Sequence, residues 1–356
     1  MCSDYPLRIS PSDPRLQYMG RIDFDDPEAP VFVYPCTNVK LRFRGSGVHL
    51  DLTNVRSYYE NSIGVILDGV QRKLVLPESG RVELNLGENL SDEVHDLMVF
   101  KRMDSCHHIM FHGFLLPADA QVLPLPEKPQ RRMEFFGDSV TAGEVCELED
   151  YCGKADPPHN GQYSNSYYSY AWYTARKLNA QLHDVAQGGI ALLQGTGYYC
   201  APELIGMEQM YDKIQSNPSI APPKPWDFSR YTPHVVVVAI GQNDNHPLDY
   251  MEQGIQNEKA RNWQNHYLAF IRRLRALYPR ASIILATTIL YHSKNWDLAI
   301  DEVCRELNDP KIHHFLYSNN GCGTPGHIRA SEAEKMAHEL SAFIESLGEE
   351  IWEDEP

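Results

Sequence analysis

Four small or polar residues follow predicted strands in the second half of the sequence, and together their types could cleave an ester. Ser139 follows MEFF in the stretch FFGDSVTAGEV, Gly189 follows LHDVA in QGGIAL, and Asn243 follows HVVVVAI in GQND. His327 lies in the Gly- and Pro-containing stretch GCGTPGHIR, before a final predicted helix. A serine nucleophile needs a base, usually histidine, and N–H donors for the oxygen that becomes negative in the tetrahedral intermediate. The four residues could supply all of these groups.

Each residue also has an ordinary structural interpretation. Asp138 and Ser139 before helix-forming residues are typical helix N-caps. An asparagine in a turn is more often a turn former, and a single histidine is more often structural. Four such residues at four successive strand ends favour the catalytic interpretation. We predict Ser139 as nucleophile, His327 as general base, and an oxyanion hole formed by the main-chain N–H groups of Ser139 and Gly189 and the side chain of Asn243.

The elements around these residues predict a parallel sheet. From Met133 onwards, short apolar runs such as HVVVVAIG and SIILATTIL alternate with helical patterns such as ARNWQNHYLAFIRRLRALY and SEAEKMAHELSAFIESL. Strands that are buried on both faces and alternate with helices are typical of a three-layer α/β fold. Such sheets carry their active groups on loops at the carboxyl ends of the strands, where the four residues are expected.

The first half of the chain has a different period. From Arg21 to about Leu116 it reads as short strands, several of which alternate apolar with polar residues, and this favours an all-β sandwich or jelly roll. The prolines and charges of residues 121–132, QVLPLPEKPQRR, indicate a stiff linker. We therefore predict a β-sandwich (jelly-roll) domain over residues 1–124 and an α/β catalytic domain over 125–356. The sandwich could bind carbohydrate, but we favour a fixed wall that shapes the active cleft.

Composition limits the partners. The formal net charge of −16, from 48 acidic and 32 basic side chains, argues against nucleic acid or an anionic membrane surface and suits a neutral substrate such as a carbohydrate. No run approaches the roughly 18 apolar residues of a membrane span. The start of the chain lacks the basic and apolar regions of a signal peptide, so we expect a cytoplasmic protein. The oligomeric state stays open.

The eight cysteines include no CxxC pair, which indicates free thiols in a reducing compartment. Cys146 and Cys152 flank ELEDY, so a bridge or a metal site there is the alternative. They have no second ligand pair at metal spacing. The sequence thus predicts no metal and no cofactor.

Taken in order, GDSVTAG, the Gly-Gly turn, GQND and the C-terminal histidine resemble the four blocks of the SGNH (GDSL-type) hydrolase superfamily. The chain has no GxSxG elbow, which speaks against the α/β-hydrolase alternative. YMGRIDF, the N-terminal β domain and WDFSRYTPHVVVVAIGQND narrow the resemblance to carbohydrate esterase family 2, from about Tyr18 to the C-terminus. This resemblance implies a jelly roll joined to an SGNH domain, and removal of acetyl groups from plant polysaccharides or their oligosaccharides. It also implies the roles given above for Ser139, His327, Gly189 and Asn243.

One departure concerns the group that orients His327. In the superfamily an aspartate lies two or three residues before the histidine, but those positions here are Pro325 and Thr324. Some members of the esterase family resemble this case and use a Ser–His dyad in which a main-chain carbonyl orients the ring. A carbonyl can hold the Nδ1–H of a neutral histidine and leave Nε2 free. We therefore expect a dyad with a carbonyl from the TPG stretch, with a remote carboxylate such as Asp244 as the alternative.

Several residues near these loops are weaker candidates. Trp296 follows a strand, and Tyr198 lies in TGYYCAPEL after the oxyanion loop, so both are candidate substrate contacts. Trp226 reads rather as a buried anchor. His246 and His292 also follow strands and are alternative bases by position. The Tyr-rich segment from Glu147 to Tyr173 reads equally well as a substrate wall and as packing between domains.

The sequence therefore predicts a metal-independent serine esterase that acts on acetylated mannan, glucomannan or xylan fragments through an acetyl-enzyme. One alternative is an SGNH lipase or thioesterase, which would need an exposed apolar acyl groove. The other is a catalytically silent carbohydrate-binding protein, which the missing aspartate makes conceivable. A serine-reactive phosphonate distinguishes an esterase from the silent binding protein, because the phosphonate should label Ser139 of an esterase and leave Ser139 of a silent binding protein unlabelled.

Overall fold

The computed structural model describes residues 5–354, so Cys2 lies outside the described residues. Within residues 5–123 the structure has twelve strands. In chain order they are β1 Leu7–Ile9, β2 Gln17–Met19, β3 Ile22–Asp23, β4 Val31–Phe32, β5 Asn38–Arg44, β6 Gly47–Arg56, β7 Ser62–Leu67, β8 Val70–Val75, β9 Gly80–Glu88, β10 Val94–Lys101, β11 His107–Leu116 and β12 Gln121–Leu123.

These strands form two antiparallel sheets that enclose one apolar core. One sheet has the order β3-β4-β11-β6-β9 with β1 beside β11, and the other has the order β12-β5-β10-β7-β8 with β2 beside β5. Alternate residues of β5 point into the core, as Val39, Leu41 and Phe43 do. The predicted β-sandwich is confirmed. The predicted linker is wrong at both ends, because residues 121–123 pair with β5 and residues 131–132 belong to the next strand.

The remaining elements form the α/β domain. Its strands are β13 Arg131–Gly137, β14 Ala180–Ala186, β15 Lys213–Gln215, β16 Lys224–Pro225, β17 Val235–Ala239, β18 Ser282–Ala286 and β19 Ile312–His314. Its helices are α1 Ser139–Ala142, α2 Tyr170–Lys177, α3 Met207–Met210, α4 Glu258–Leu277, α5 Lys294–Leu307 and α6 Ala330–Ser346. Across residues 5–354, none of the helices has the length and apolar content needed to cross a bilayer.

The central sheet is parallel, with strand order β14-β13-β17-β18-β19. Its strands are buried on both faces because helices cover each side. Trp263 of α4 and Ile300 of α5 pack on one face, and Ala175 of α2 and Leu340 of α6 pack on the other. The predicted three-layer domain is confirmed. The sequence analysis did not predict helix α5, and interpreted Trp296 only as a residue that follows a strand.

The two domains share buried polar contacts. Arg21 of the sandwich donates to the carboxylate of Glu134 in β13 at 3.0 Å, and both side chains are fully buried. Tyr278 donates a second hydrogen bond to Glu134 at 2.6 Å. On another part of the interface, the main-chain N–H of Cys36 donates to the hydroxyl of Ser166. Such contacts fix the sandwich against the α/β domain.

Candidate active site

The four residues predicted to act together line one cleft. Ser139, Gly189, Asn243 and His327 all border a cavity of about 550 Å³ at the carboxyl edge of the parallel sheet. Ser139 follows β13, Gly189 follows β14 and Asn243 follows β17, so three neighbouring strands deliver them to one place. His327 reaches the same cleft from the loop before α6.

Ser139 is the first residue of the short helix α1, and only 5% of its surface is exposed. The N-cap is Asp138, whose carboxylate accepts the N–H of Val140 at 3.0 Å. Ser139 therefore does not cap the helix. As the first helical residue, it has an N–H that the helix itself leaves without an acceptor, and this group can serve an oxyanion.

An aspartate orients His327. Its Nδ1 lies 2.7 Å from Oδ2 of Asp156, and the main-chain N–H of His327 donates to the same oxygen at 3.1 Å. Arg329 donates to the other oxygen, Oδ1, at 2.8 Å and fixes the carboxylate in place. The expected carbonyl from the TPG stretch is thus wrong. The carboxylate stabilises an imidazolium better than a carbonyl would. With Ser139 in the same cleft, His327 and Asp156 are the candidate members of a Ser–His–Asp triad.

Asp244, the alternative candidate for orienting His327, instead binds main-chain N–H groups of a neighbouring loop. Its carboxylate accepts the main-chain N–H groups of Leu192 and Leu193 at 2.7 and 3.1 Å. Burial raises its pKa to about 7. Asp244 therefore holds the loop that follows β14, and with it the position of Gly189.

The sequence analysis did not predict Asp156 as the partner of His327, because Asp156 lies 171 residues before His327 in the chain. It sits in the Tyr-rich segment after α1, within GKADPPHN, where no local spacing marks it as a partner of a distant histidine. The one sequence signal that could have indicated an orienting carboxylate here is the acidic character of this segment. The segment packs between the domains, since its later residue Ser166 donates to the carbonyl of Lys101 in the sandwich. Its alternative role as a substrate wall stays a prediction.

The two other residues predicted for the oxyanion hole are held by their loops. Gly189 has φ of +73°, and a Cβ at this position would meet the Cβ of Tyr198 at 2.9 Å. Glycine is therefore the residue that fits the turn. The side-chain amide of Asn243 donates to the carbonyl of Ile190 at 3.0 Å and lies 3.4 Å from the carboxylate of Asp138. These contacts keep the Asn243 amide beside the loop of Gly189.

Burial shifts the pKa values of two carboxyl groups beside the cleft. Burial raises the pKa of Glu144 to about 7 and that of Asp138 to about 6. Oε2 of Glu144 lies 3.7 Å from Nε2 of His327, the nitrogen that faces away from Asp156. Burial alone would lower the pKa of His327, but the carboxylates of Glu144 and Asp156 outweigh it and raise that pKa above its ordinary value.

The sandwich completes the cleft. Tyr58 and Tyr59, between β6 and β7, border the cavity. The side-chain amide of Gln187 donates to the hydroxyl of Tyr58 at 3.0 Å and to the carboxylate of Asp104 at 2.7 Å. Asp104, between β10 and β11, also accepts the N–H of Gly188 at 2.7 Å. The loops of the sandwich thus form the wall that was expected.

The two candidate substrate contacts differ. Tyr198 borders the cleft, is 55% exposed and stacks on His246 at a centroid distance of 4.2 Å. Its contact with substrate stays a prediction. Trp296 is wrong as a contact, because it is fully buried in α5 against Trp263 and Tyr250. Trp296 follows a strand, as predicted, but it lies on the buried face of the amphipathic helix α5.

The other histidines and aromatic residues have structural surroundings. His292 is buried and pairs with Asp297 at 3.1 Å. Trp226 is buried against Ile214 and Tyr231, as expected of an anchor. The seven described cysteines are free thiols, so Cys146 and Cys152 form no bridge.

The comparisons agree with this geometry. Residues 18–126 match the family model described as carbohydrate esterase 2 N-terminal, and residues 135–310 match the GDSL-like lipase/acylhydrolase family. Fold and site therefore define a serine ester hydrolase of the GDSL type. The N-terminal match and the two-domain relatives place it further: the chain belongs to carbohydrate esterase family 2.

Three relatives illustrate the similarity. An acetylxylan esterase/glucomannan deacetylase of Cellvibrio japonicus is 27% identical over 95% of this chain and 90% of its own length. The cellulase/esterase CelE of Acetivibrio thermocellus is 28% identical over 94% of this chain, which spans only 40% of CelE. The structure of a family two carbohydrate esterase from Clostridium thermocellum in complex with cellohexaose has 27% identity and a TM-score of 0.77, covering 93% of this chain and 98% of that chain.

Proposed function

We propose that this protein removes O-acetyl groups from oligosaccharides derived from plant mannan, glucomannan or xylan. The observation that carries the proposal is the histidine held by a carboxylate in the same cleft as a serine at a helix start. The relative named an acetylxylan esterase/glucomannan deacetylase, which aligns over nearly the whole chain, supports this substrate class.

The catalytic steps follow from the positions of the groups. Nε2 of His327 takes the proton of Ser139 as Oγ attacks the acetyl carbonyl, and Asp156 stabilises the imidazolium. The oxyanion accepts hydrogen bonds from the N–H groups of Ser139 and Gly189 and from Asn243. The tetrahedral intermediate expels the sugar oxygen, which takes the proton from His327. Water then attacks the acetyl-enzyme with His327 again as base, and releases acetate and free Ser139.

The electrostatics of the cleft favour a neutral sugar. Glu144 borders the cleft directly, and Asp104 lies behind Gly188. Negative groups at this position repel a carboxylate substituent, so uronate-bearing fragments should be poorer substrates than neutral ones.

The thiols of the described cysteines suit a reducing compartment, and we propose that the protein acts in the cytoplasm on imported oligosaccharides rather than on polymers.

The decisive experiment is acetate release from acetylated glucomannan and xylan oligosaccharides, followed by NMR, with Ser139→Ala beside the native protein. Release that vanishes in the variant is the expected result, and the order in which acetyl signals disappear identifies the hydroxyl positions. Release only from long-chain acyl esters would favour the lipase or thioesterase alternative. No release from any ester, together with no labelling of Ser139 by a phosphonate, would favour a silent binding protein.

A further inference from the structure

A second histidine lies beside the triad and takes no part in the steps above. His159 follows Asp156 by three residues in the same loop, and its ring lies edge-on to that of His327 with centroids 6.3 Å apart. Asp156, His159 and His327 each offer one ligand atom, and these three atoms lie within 4.8 Å of one another. All three residues are half-buried, so the cluster remains open to solvent ions.

The ring of His159 has an unused ligand atom. Its Nδ1 is buried and lacks a hydrogen-bond partner among the described residues. A buried imidazole nitrogen without a partner loses hydration without compensation, and this loss is relieved when the nitrogen coordinates a cation. The face of the ring packs against Tyr59 at a centroid distance of 5.6 Å, which limits how far it can turn away.

We propose that Asp156, His159 and His327 form an inhibitory site for Zn²⁺ or a similar divalent transition ion. Two imidazoles and one carboxylate, with water in the fourth position, are a donor set that zinc accepts in proteins. Tetrahedral zinc holds its ligand atoms about 3.3 Å apart, so a small inward movement of the loop would close the cluster on the ion. Arg329 keeps its hydrogen bond to Oδ1 of Asp156 and leaves Oδ2 for the ion.

The bound ion would disable the base. If it binds Nδ1 of His327, it replaces the hydrogen bond to Asp156, and the single proton of the neutral ring then resides on Nε2. If it binds Nε2, that atom is occupied. In both cases Nε2 can no longer accept the proton of Ser139, so hydrolysis stops without loss of the fold. The inhibition rests on the proposed function, whereas the binding of the ion does not.

The test separates binding from inhibition. Zinc chloride is titrated by calorimetry into Ser139→Ala protein, which keeps all three ligands, and into the same protein with His159→Ala or His159→Gln. Inhibition of acetyl-ester hydrolysis is measured in parallel on the native protein and on His159→Ala. His266→Gln is the matched control, because His266 is an exposed histidine of α4 paired with Glu208. Thiols elsewhere can also bind zinc, so the readout is the component that disappears with His159.

We expect one zinc-binding event per chain whose affinity falls about tenfold or more in both His159 variants. The zinc concentration that inhibits hydrolysis should rise by the same factor, and a chelator should reverse the inhibition. His266→Gln should behave as the native protein does. Zinc binding that is unchanged by both His159 substitutions, or weakened equally by His266→Gln, would overturn the site. Absence of esterase activity with intact His159-dependent binding would contradict the proposed function and leave the metal site standing.

Discussion

At the scale of single residues, the chemistry depends on how carboxylates surround His327. Asp156 holds Nδ1 and Glu144 lies near Nε2, so the ring stands between two acids. Each carboxylate favours the charged imidazolium, but only the first lies on the side away from the proton transfer. The two acids should therefore have different effects when they are neutralised.

Asp156→Asn should lower kcat by between about 10²- and 10⁴-fold with little change in KM, because the amide neither fixes the tautomer of His327 nor stabilises its charge. Steady-state kinetics on an acetyl ester measure this effect. Asp150→Asn, which neutralises an exposed acid of the same segment, should keep native kinetics. An Asp156→Asn variant with the kcat of the native protein would contradict this role and favour a Ser–His dyad in which a main-chain carbonyl orients the ring.

Glu144→Gln should move the acidic limb of the kcat/KM profile to lower pH. His327 acts as a base in its neutral form, so activity rises as pH passes its pKa, and the negative charge of Glu144 helps to raise that pKa. Removal of the charge lowers the pKa, and the neutral form then persists at lower pH. Because the two groups titrate together, the profile reports values for the pair. An acidic limb that stays in place or moves to higher pH would contradict this account.

At the scale of elements, the loops at the carboxyl edge of the sheet are held by side chains from other loops. Asp244, after β17, fixes the loop after β14 through two main-chain N–H groups. Asp104 of the sandwich holds the same loop through Gly188. The N–H of Gly189, which we predict to serve the oxyanion, is thus positioned from two directions.

Gly189→Ala should lose up to about 10²- to 10³-fold in kcat, because the strained turn displaces an oxyanion donor. A left-handed φ also costs an alanine about 1–2 kcal/mol of stability. Gly254→Ala is the matched control, since Gly254 has φ of +91° and open space around its Cβ position. Denaturant unfolding should show a loss of stability in both variants, larger in Gly189→Ala because its Cβ also meets Tyr198. Kinetics should show a loss of kcat in Gly189→Ala alone. Equal kcat values would remove Gly189 from the oxyanion hole.

At the scale of the whole molecule, the sandwich and the α/β domain behave as one structure in which each supplies part of the cleft. The ion pair of Arg21 and Glu134 is fully buried between them, and its desolvation is offset only while both partners are present. Tyr58 and Asp104 extend this dependence to the active site.

Arg21→Met should lower the free energy of unfolding by about 3–5 kcal/mol, because it leaves the carboxylate of Glu134 buried without its cation. Arg305→Met removes the exposed pair with Asp301 and should cost less than about 1 kcal/mol. Urea unfolding should show a single transition for the native protein and for both variants. Two separate transitions in the native protein would contradict the coupling of the domains.

The sequence by itself determined the order of the elements and the identity of the local blocks. The strand period of the first half, the alternating strands and helices of the second, and the loops of Ser139, Gly189, Asn243 and His327 are properties of neighbouring residues, and they could be predicted as such. The family resemblance followed from the same blocks and was confirmed by the comparisons.

Only the tertiary structure decided which distant groups meet. Asp156, between α1 and α2, contacts His327, before α6, across 171 residues of chain, and no spacing rule encodes that contact. Trp296 is buried because α5 packs on α4, although its position after a strand resembled that of a cleft residue. Local patterns report the state of the backbone, whereas the environment of a side chain is set by elements that pack against it from elsewhere in the chain.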